Sequence, residues 1–221
     1  MHRSLRAAAG AAALLLALAG CESTDAWASP HPTPTPHGSI APGFVDPTST
    51  PSPGATITPK PGSWDAVHAP AGYRVVLLIG GDDAPAKTLV AAVKSWAKAD
   101  DVDLRTIVPK DDKDAIPSIT KAIDMKPDLI VSAGNALIDP LTVVTASNLQ
   151  QQFLVVGAEL AEPTHNVTAV DWSGASFRGD GVDMSSPYDP ASFTAERCAA
   201  ATRAGVAAVL SNVTGIVVWL S

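Results

Sequence analysis

From Tyr73 onward the chain repeats one rhythm: a short apolar run of β-type residues, a break, then a helical pattern. Tyr73-Arg-Val-Val-Leu-Leu-Ile79 runs into Gly80-Gly81, and comparable runs occupy Leu104–Val108, Asp128–Ser132, Phe153–Val156, Val167–Asp171 and Ile216–Leu220. The first and last are continuous rather than alternating, the mark of strands covered on both faces, as in parallel sheets. Between the runs, Leu89, Val90, Val93, Trp96 and Ala97 fall at helical spacing behind Asp83 and Pro85. Ile116, Ile119 and Ile123 mark a second helix entered by Asp114. Asp139-Pro140 reads as the cap and first position of a third, with Leu141, Val144 and Leu149 on one face. Asp189-Pro190 opens a fourth in the same way, running through Phe193, Cys198, Ala201 and Val209. Strand–helix alternation of this kind predicts right-handed βαβ units and an α/β fold with a doubly wound, mostly parallel sheet. Trp172 to Tyr188 is Gly- and Ser-rich and reads as a surface excursion.

The N-terminal third is a different material. Of the 19 prolines in 221 residues, 11 lie between Ser29 and Pro70. Proline removes amide donors and pushes its neighbours toward extended backbone. With no apolar periodicity, residues 21–70 are expected to form a disordered, polyproline-II-like tether of about 150 Å at full extension, at ~3.1 Å per residue. His31 and His37 lie in this tract without a preorganised metal site. The globular unit is expected over 71–221.

Residues 1–20 read as a processing signal. Arg3 and Arg6 precede an apolar run from Ala7 to Ala19, too short to span a bilayer but suited to a signal peptide. It ends in Leu18-Ala19-Gly20-Cys21, which resembles the lipobox of bacterial lipoproteins. The expectation is cleavage before Cys21, acylation of that cysteine, and a protein held at the extracytoplasmic face of the cell membrane by lipid. Loss of two arginines moves the formal charge from −7 to −7 − 2 = −9. With Cys21 acylated, Cys198 is left without a disulfide partner in the chain. Acidity of this degree also argues against a nucleic-acid surface.

Catalytic signatures are sparse. Gly81-Asp82-Asp83-Ala84-Pro85-Ala86-Lys87-Thr88 approaches the phosphate-cradling loop, but Ala86 replaces its second glycine and Pro85 removes an amide. Asp82 and Asp83 would repel the anion that such a loop binds. No G-x-S-x-G elbow is present. His165 lies in a turn, Cys198 among alanines, and Asp111-Asp112-Lys113-Asp114 at a helix entrance without EF-hand spacing. No catalytic residue, metal site or cofactor is expected, and the chain is not read as an enzyme. In open α/β sheets, ligands bind beyond the carboxyl ends of the strands. There the sequence places Asp82, Asp83, Ser132, Asn135, Glu159, Asp171 and Trp172, a set of carboxylates, a hydroxyl, an amide and an aromatic plate suited to a sugar or nucleoside.

Lys126-Pro-Asp-Leu-Ile-Val-Ser-Ala-Gly-Asn135, Gln152-Phe-Leu-Val-Val156, Asn166-Val-Thr-Ala-Val170 and the Ala-rich helix running into Thr214-Gly-Ile-Val-Val218 together resemble the first lobe of a type 1 periplasmic binding protein. The resemblance is to the basic-membrane-protein (BMP) lipoproteins that serve ABC importers of nucleosides. It implies a solute-binding-like lobe, a small polar ligand such as a nucleoside or sugar, and a partner permease or second protein chain. Members of that family clamp ligand between two lobes, and the sequence from Tyr73 to Ser221 carries the pattern of one. The alternative is a cell-envelope interaction lipoprotein that uses such a lobe to dock another protein.

Overall fold

The structure is a computed structural model, and it describes residues 25–29 and 31–221. The expected signal segment and Cys21 lie outside the described residues. Seven parallel strands form one sheet in the order β1-β7-β6-β5-β4-β2-β3. The strands are β1 (Thr56–Ile57), β2 (Arg74–Ile79), β3 (Asp103–Ile107), β4 (Leu129–Ala133), β5 (Phe153–Val156), β6 (Val167–Trp172) and β7 (Val217–Leu220). The helices are α1 (Ala84–Ala99), α2 (Ala115–Asp124), α3 (Ile138–Thr145) and α4 (Ala195–Leu210). Chain direction across the sheet reverses between β2 and β4, which makes that junction the topological switch point.

The two faces are covered separately. Val75 and Leu77 of β2 join Leu89 and Val93 of α1 and Ala201 and Ala204 of α4 in one core. Val76 and Leu78 face the other way and pack with Ile119 of α2 and Ile138 and Leu141 of α3. This is why β2 reads as an unbroken apolar run: alternate residues enter different cores. α4 lies close enough to the sheet that a Cβ on Gly205 would come within 2.6 Å of both Leu154 and Val170 side chains. Gly205→Val should therefore lower stability by about 1–3 kcal/mol through overpacking, read as a fall in the urea midpoint. An unchanged midpoint would mean that α4 does not seat on β5 and β6.

Several sequence expectations shift. Ile116 of α2 is 44% exposed, and the buried face runs through Ala115, Ser118, Ile119 and Ala122. Leu149, expected on a buried face, lies beyond α3 and is exposed. Asp139 does not cap α3: the N-cap is Leu137, and the Asp139 carboxylate accepts from the Asp180 amide at 3.2 Å. Asp189-Pro190 opens only a single 3-10 turn, Pro190–Ser192, and α4 starts later behind Thr194, whose hydroxyl accepts from Arg197 N. As the absence of a helical pattern between their runs implies, β5 and β6 are joined without a helix, and Ala158 and Leu160 of the connection are buried in the α2/α3 core.

The largest difference concerns the Pro-rich segment. Residues 21–24 lie outside the described residues, but from residue 31 to 70 the chain is seated on the lobe instead of forming the expected tether. Phe44, Trp64, Val67 and Ala69 are buried in the α1/α4 core. Thr56 and Ile57 add an edge strand to β7, with Gly54 N donating to Gly215 O at 2.7 Å and Val217 N to Ala55 O at 2.9 Å. His37 and His68 exchange backbone hydrogen bonds of 3.0 and 2.9 Å, closing the segment on itself. Gly38 permits this closure: its φ is +76°, and any Cβ there would collide with Ala66 O. A Pro-rich chain has little backbone freedom to lose, so a few spaced apolar anchors suffice to seat it.

Candidate functional site

A cleft of about 750 Å³ opens at the switch point, beyond the carboxyl ends of β2, β3 and β4. Gly80 after β2 and Asn135 after β4 form its floor, with Leu137 between them and α3. Gly80 has to be glycine, because a Cβ there would lie 2.6 Å from Leu137 Cγ. The Gly134 turn, at φ +82°, carries the chain out of β4 so that Asn135 reaches the cleft. α2 and α3 both begin at the cleft.

The cleft is acidic. Asp111, Asp112, Asp139 and Asp180 line it against one lysine, Lys110. Asp111 caps the turn before α2 by accepting from Asp114 N at 3.0 Å. Asp114 accepts from Lys110 N at 2.9 Å and from the Ser118 hydroxyl at 3.2 Å, and the Lys110 amide is the main reason its carboxyl is held below the usual range. Negative side chains thus already occupy the positive helix ends. The cleft favours a neutral or cationic polar ligand and repels phosphates. Phe177 and Asp180 bring the 173–188 excursion to the rim, and Ser176 Oγ accepts from Ser186 N at 2.8 Å to brace that loop.

Of the residues expected at the site, only Asn135 lines this cleft. Asp83 caps α1, accepting from Ala86 N at 2.8 Å, and both Asp82 and Asp83 are exposed. Ser132 is buried with an unpartnered hydroxyl. Trp172 is not an exposed plate: it is fully buried in the α1/α4 core, with its indole N–H on Ser192 Oγ at 2.9 Å and its ring 5.0 Å from Phe193. Strand alternation decides this, since Trp172 shares the face of Val170.

Glu159 and Asp171 meet elsewhere. Glu159 pairs with Arg178 at 3.1 Å in a second groove of about 720 Å³, between the β7–β1 edge and the 159–163 connection. Asp171 lies behind them, fully buried, with Oδ1 accepting from Trp172 N and Oδ2 unpartnered. Burial chiefly, with the nearby Glu159 charge adding to it, pushes the Asp171 carboxyl up to about 8. Glu159 is also raised by burial, with Arg178 opposing. Cys198 is a free, buried thiol raised by burial to about 11. His165 is exposed. Among the described residues no three His, Cys, Asp or Glu side chains are arranged to hold a metal, and no helix is long and apolar enough to cross a membrane.

Asp111, Asp112, Asp139 and Asp180 were missed as site residues. The carboxyl-edge rule applied to β3 would have found Asp111 and Asp112, which lie a few residues beyond its end. Asp180 carries no such signal, because only the folding back of the excursion brings it to the rim.

No family model matches the chain, and no curated protein matches it. Solved structures do. An ABC transporter solute-binding protein from Aeropyrum pernix K1 aligns at 20% identity and a TM-score of 0.41, covering 45% of this chain and 28% of that one. A second, from Conexibacter woesei DSM 14684, aligns at 21% identity and 0.39, covering 45% and 35%. A fragment described as a lipoprotein from Peptoclostridium difficile 630 aligns at 18% identity and 0.45, covering 62% of this chain and 98% of the fragment. The match therefore spans about a third of the two solute-binding proteins' length. The chain's own strand order makes it an α/β lobe of the doubly wound, parallel kind.

Proposed function

We propose that this chain is a lipid-anchored, extracytoplasmic, solute-binding-like protein that takes a neutral hydroxyl-rich ring, a nucleoside or sugar, in the switch-point cleft. The observation that supports it is the cleft itself: a volume of about 750 Å³ at the sheet's reversal, floored by Gly80 and Asn135 and rimmed by carboxylates that can accept from hydroxyls. The Leu18–Cys21 box supports the anchor, and the resemblance to BMP lipoproteins supports an ABC permease or second chain as partner. The cleft is open to solvent, and a partner docked over it would complete it. The lone chain should bind weakly, roughly millimolar to tens of micromolar. An NMR titration with nucleosides and monosaccharides should shift resonances of Gly80, Asn135 and Asp139, and Asn135→Ala should weaken binding about tenfold, the size of one good hydrogen bond. Nucleoside monophosphates should not bind. Shifts confined to Asp82, Asp83 and Trp172 would place the ligand elsewhere, and submicromolar binding by the monomer would contradict the open-cleft argument.

A second reading has its own observation. Val143 at the rim is 63% exposed and Val108, just before it on the β3 side, 62%. Two exposed valines at and beside the acidic rim suit a protein that docks there, as an envelope interaction lipoprotein would require. Absence of any small-molecule shift, together with crosslinks from position 143 to one envelope protein, would favour that reading.

A further inference from the structure

Residues 25–29, a few positions after the lipobox, are bound to the lobe. Trp27 is buried against the α2/α3 core, and its indole N–H donates to Asp103 Oδ2 at 2.6 Å. The Arg105 guanidinium lies 4.1 Å from the Trp27 ring centroid and pairs with Asp25. That pairing holds the Asp25 carboxyl well below the usual carboxylate range. Arg74 donates to Ala26 O at 2.8 Å and to Ser29 O at 3.0 Å. His31 Nε2 lies 3.0 Å from Asp128 Oδ1. Arg74 starts β2, Asp103 starts β3, and Asp128 immediately precedes β4. All these contacts therefore grip one place: the amino edge of the sheet, beside its free edge strand.

We infer that this clasp makes the lipid anchor short and directional, holding the amino edge of the sheet against the bilayer surface and turning the switch-point cleft away from it. The inference rests on the lipid-anchor reading of Cys21 given above. Four residue steps separate Cys21 from Asp25, a reach of at most about 14 Å at ~3.6 Å per residue. The cleft lies at the opposite ends of the same strands. β2 alone is 6 residues long, so the cleft is set back a further ~17–20 Å at ~3.3 Å per residue. A free Pro-rich tether would let the lobe tumble through any orientation. A clasp upstream of that segment removes the freedom, because the segment no longer lies between lipid and lobe. A permease or second chain would then meet the cleft from the side away from the bilayer.

The test uses the full lipidated chain in vesicles containing headgroup-spin-labelled lipid. A fluorophore is attached through Asp124→Cys at the amino edge or Val108→Cys at the carboxyl edge, both exposed positions; Cys198 is buried and does not compete. Quenching at position 124 should exceed that at 108 at least about threefold, and Trp27→Ala with Arg105→Ala should bring the two within error of each other. Equal quenching without those substitutions, or stronger quenching at 108, overturns the inference. The clasp is also tested without lipid: in the Cys21→Ser chain, Trp27→Ala should speed protease cleavage within residues 25–36 about tenfold, and an unchanged rate overturns it. If Cys21→Ser partitions into membranes like the unaltered chain, the anchor reading fails instead, and the cleavage assay still reports on the clasp.

Discussion

Asp171→Asn should raise the stability of this protein at pH 8 by roughly 5 kcal/mol and leave it nearly unchanged at pH 4. The Asp171 carboxyl is fully buried, and burial raises it from 3.8 to about 8. A raised folded-state value means that the native state holds the proton over a range in which the unfolded chain has released it. Stability therefore falls as pH rises from about 4 to 8, by ~1.4 kcal/mol per pH unit from this group alone. Asparagine keeps the acceptor for the Trp172 amide and cannot ionise. Its buried NH₂ lacks a partner, as does the protonated carboxyl it replaces, so the two are matched at low pH. Urea midpoints measured at pH 4.5, 6 and 8 check this. Parallel pH profiles for the two proteins would mean that Asp171 is solvated or paired. Glu159→Gln should flatten the profile in the same direction but less, because Arg178 offsets part of its burial.

Phe44→Ala should cost about 3–5 kcal/mol, the usual loss for a large aromatic side chain deleted from a core. Trp64→Ala should do likewise. Phe44 is 1% exposed and Trp64 6%, and both belong to the core shared by α1 and α4. A side chain in a disordered tether would cost nothing measurable, so the experiment separates a seated segment from a free one by several kcal/mol. Limited proteolysis gives an independent reading: residues 31–70 should resist cleavage until global unfolding. A midpoint within error of the unaltered chain, with rapid cleavage before Pro70, would show that the segment detaches in solution.

The alternation of apolar runs with helical periods determined the six main strands, the four helices and the parallel sheet. These follow from local backbone preference and from which faces must be covered, and both are written residue by residue. Asp83 and Cys198 were legible for the same reason: a cap and a small buried thiol depend on near neighbours. The Pro-rich segment was not legible, because composition measures how much apolar surface a segment has but not whether a groove exists to receive it. Phe44, Trp64 and Ile57 are too widely spaced to form a core alone, and they are buried only because α1, α4 and β7 supply the other half of each contact. The same reason splits the candidate site. Sequence places Asn135, Glu159, Asp171 and Trp172 alike at strand ends. The tertiary structure sends Asn135 to the switch-point cleft and Glu159 to a second groove. It buries Asp171 on one face of the sheet and Trp172 on the other. Which end of a strand a residue occupies is a local fact; which side of the sheet it faces, and what covers it there, depends on elements far away in the chain.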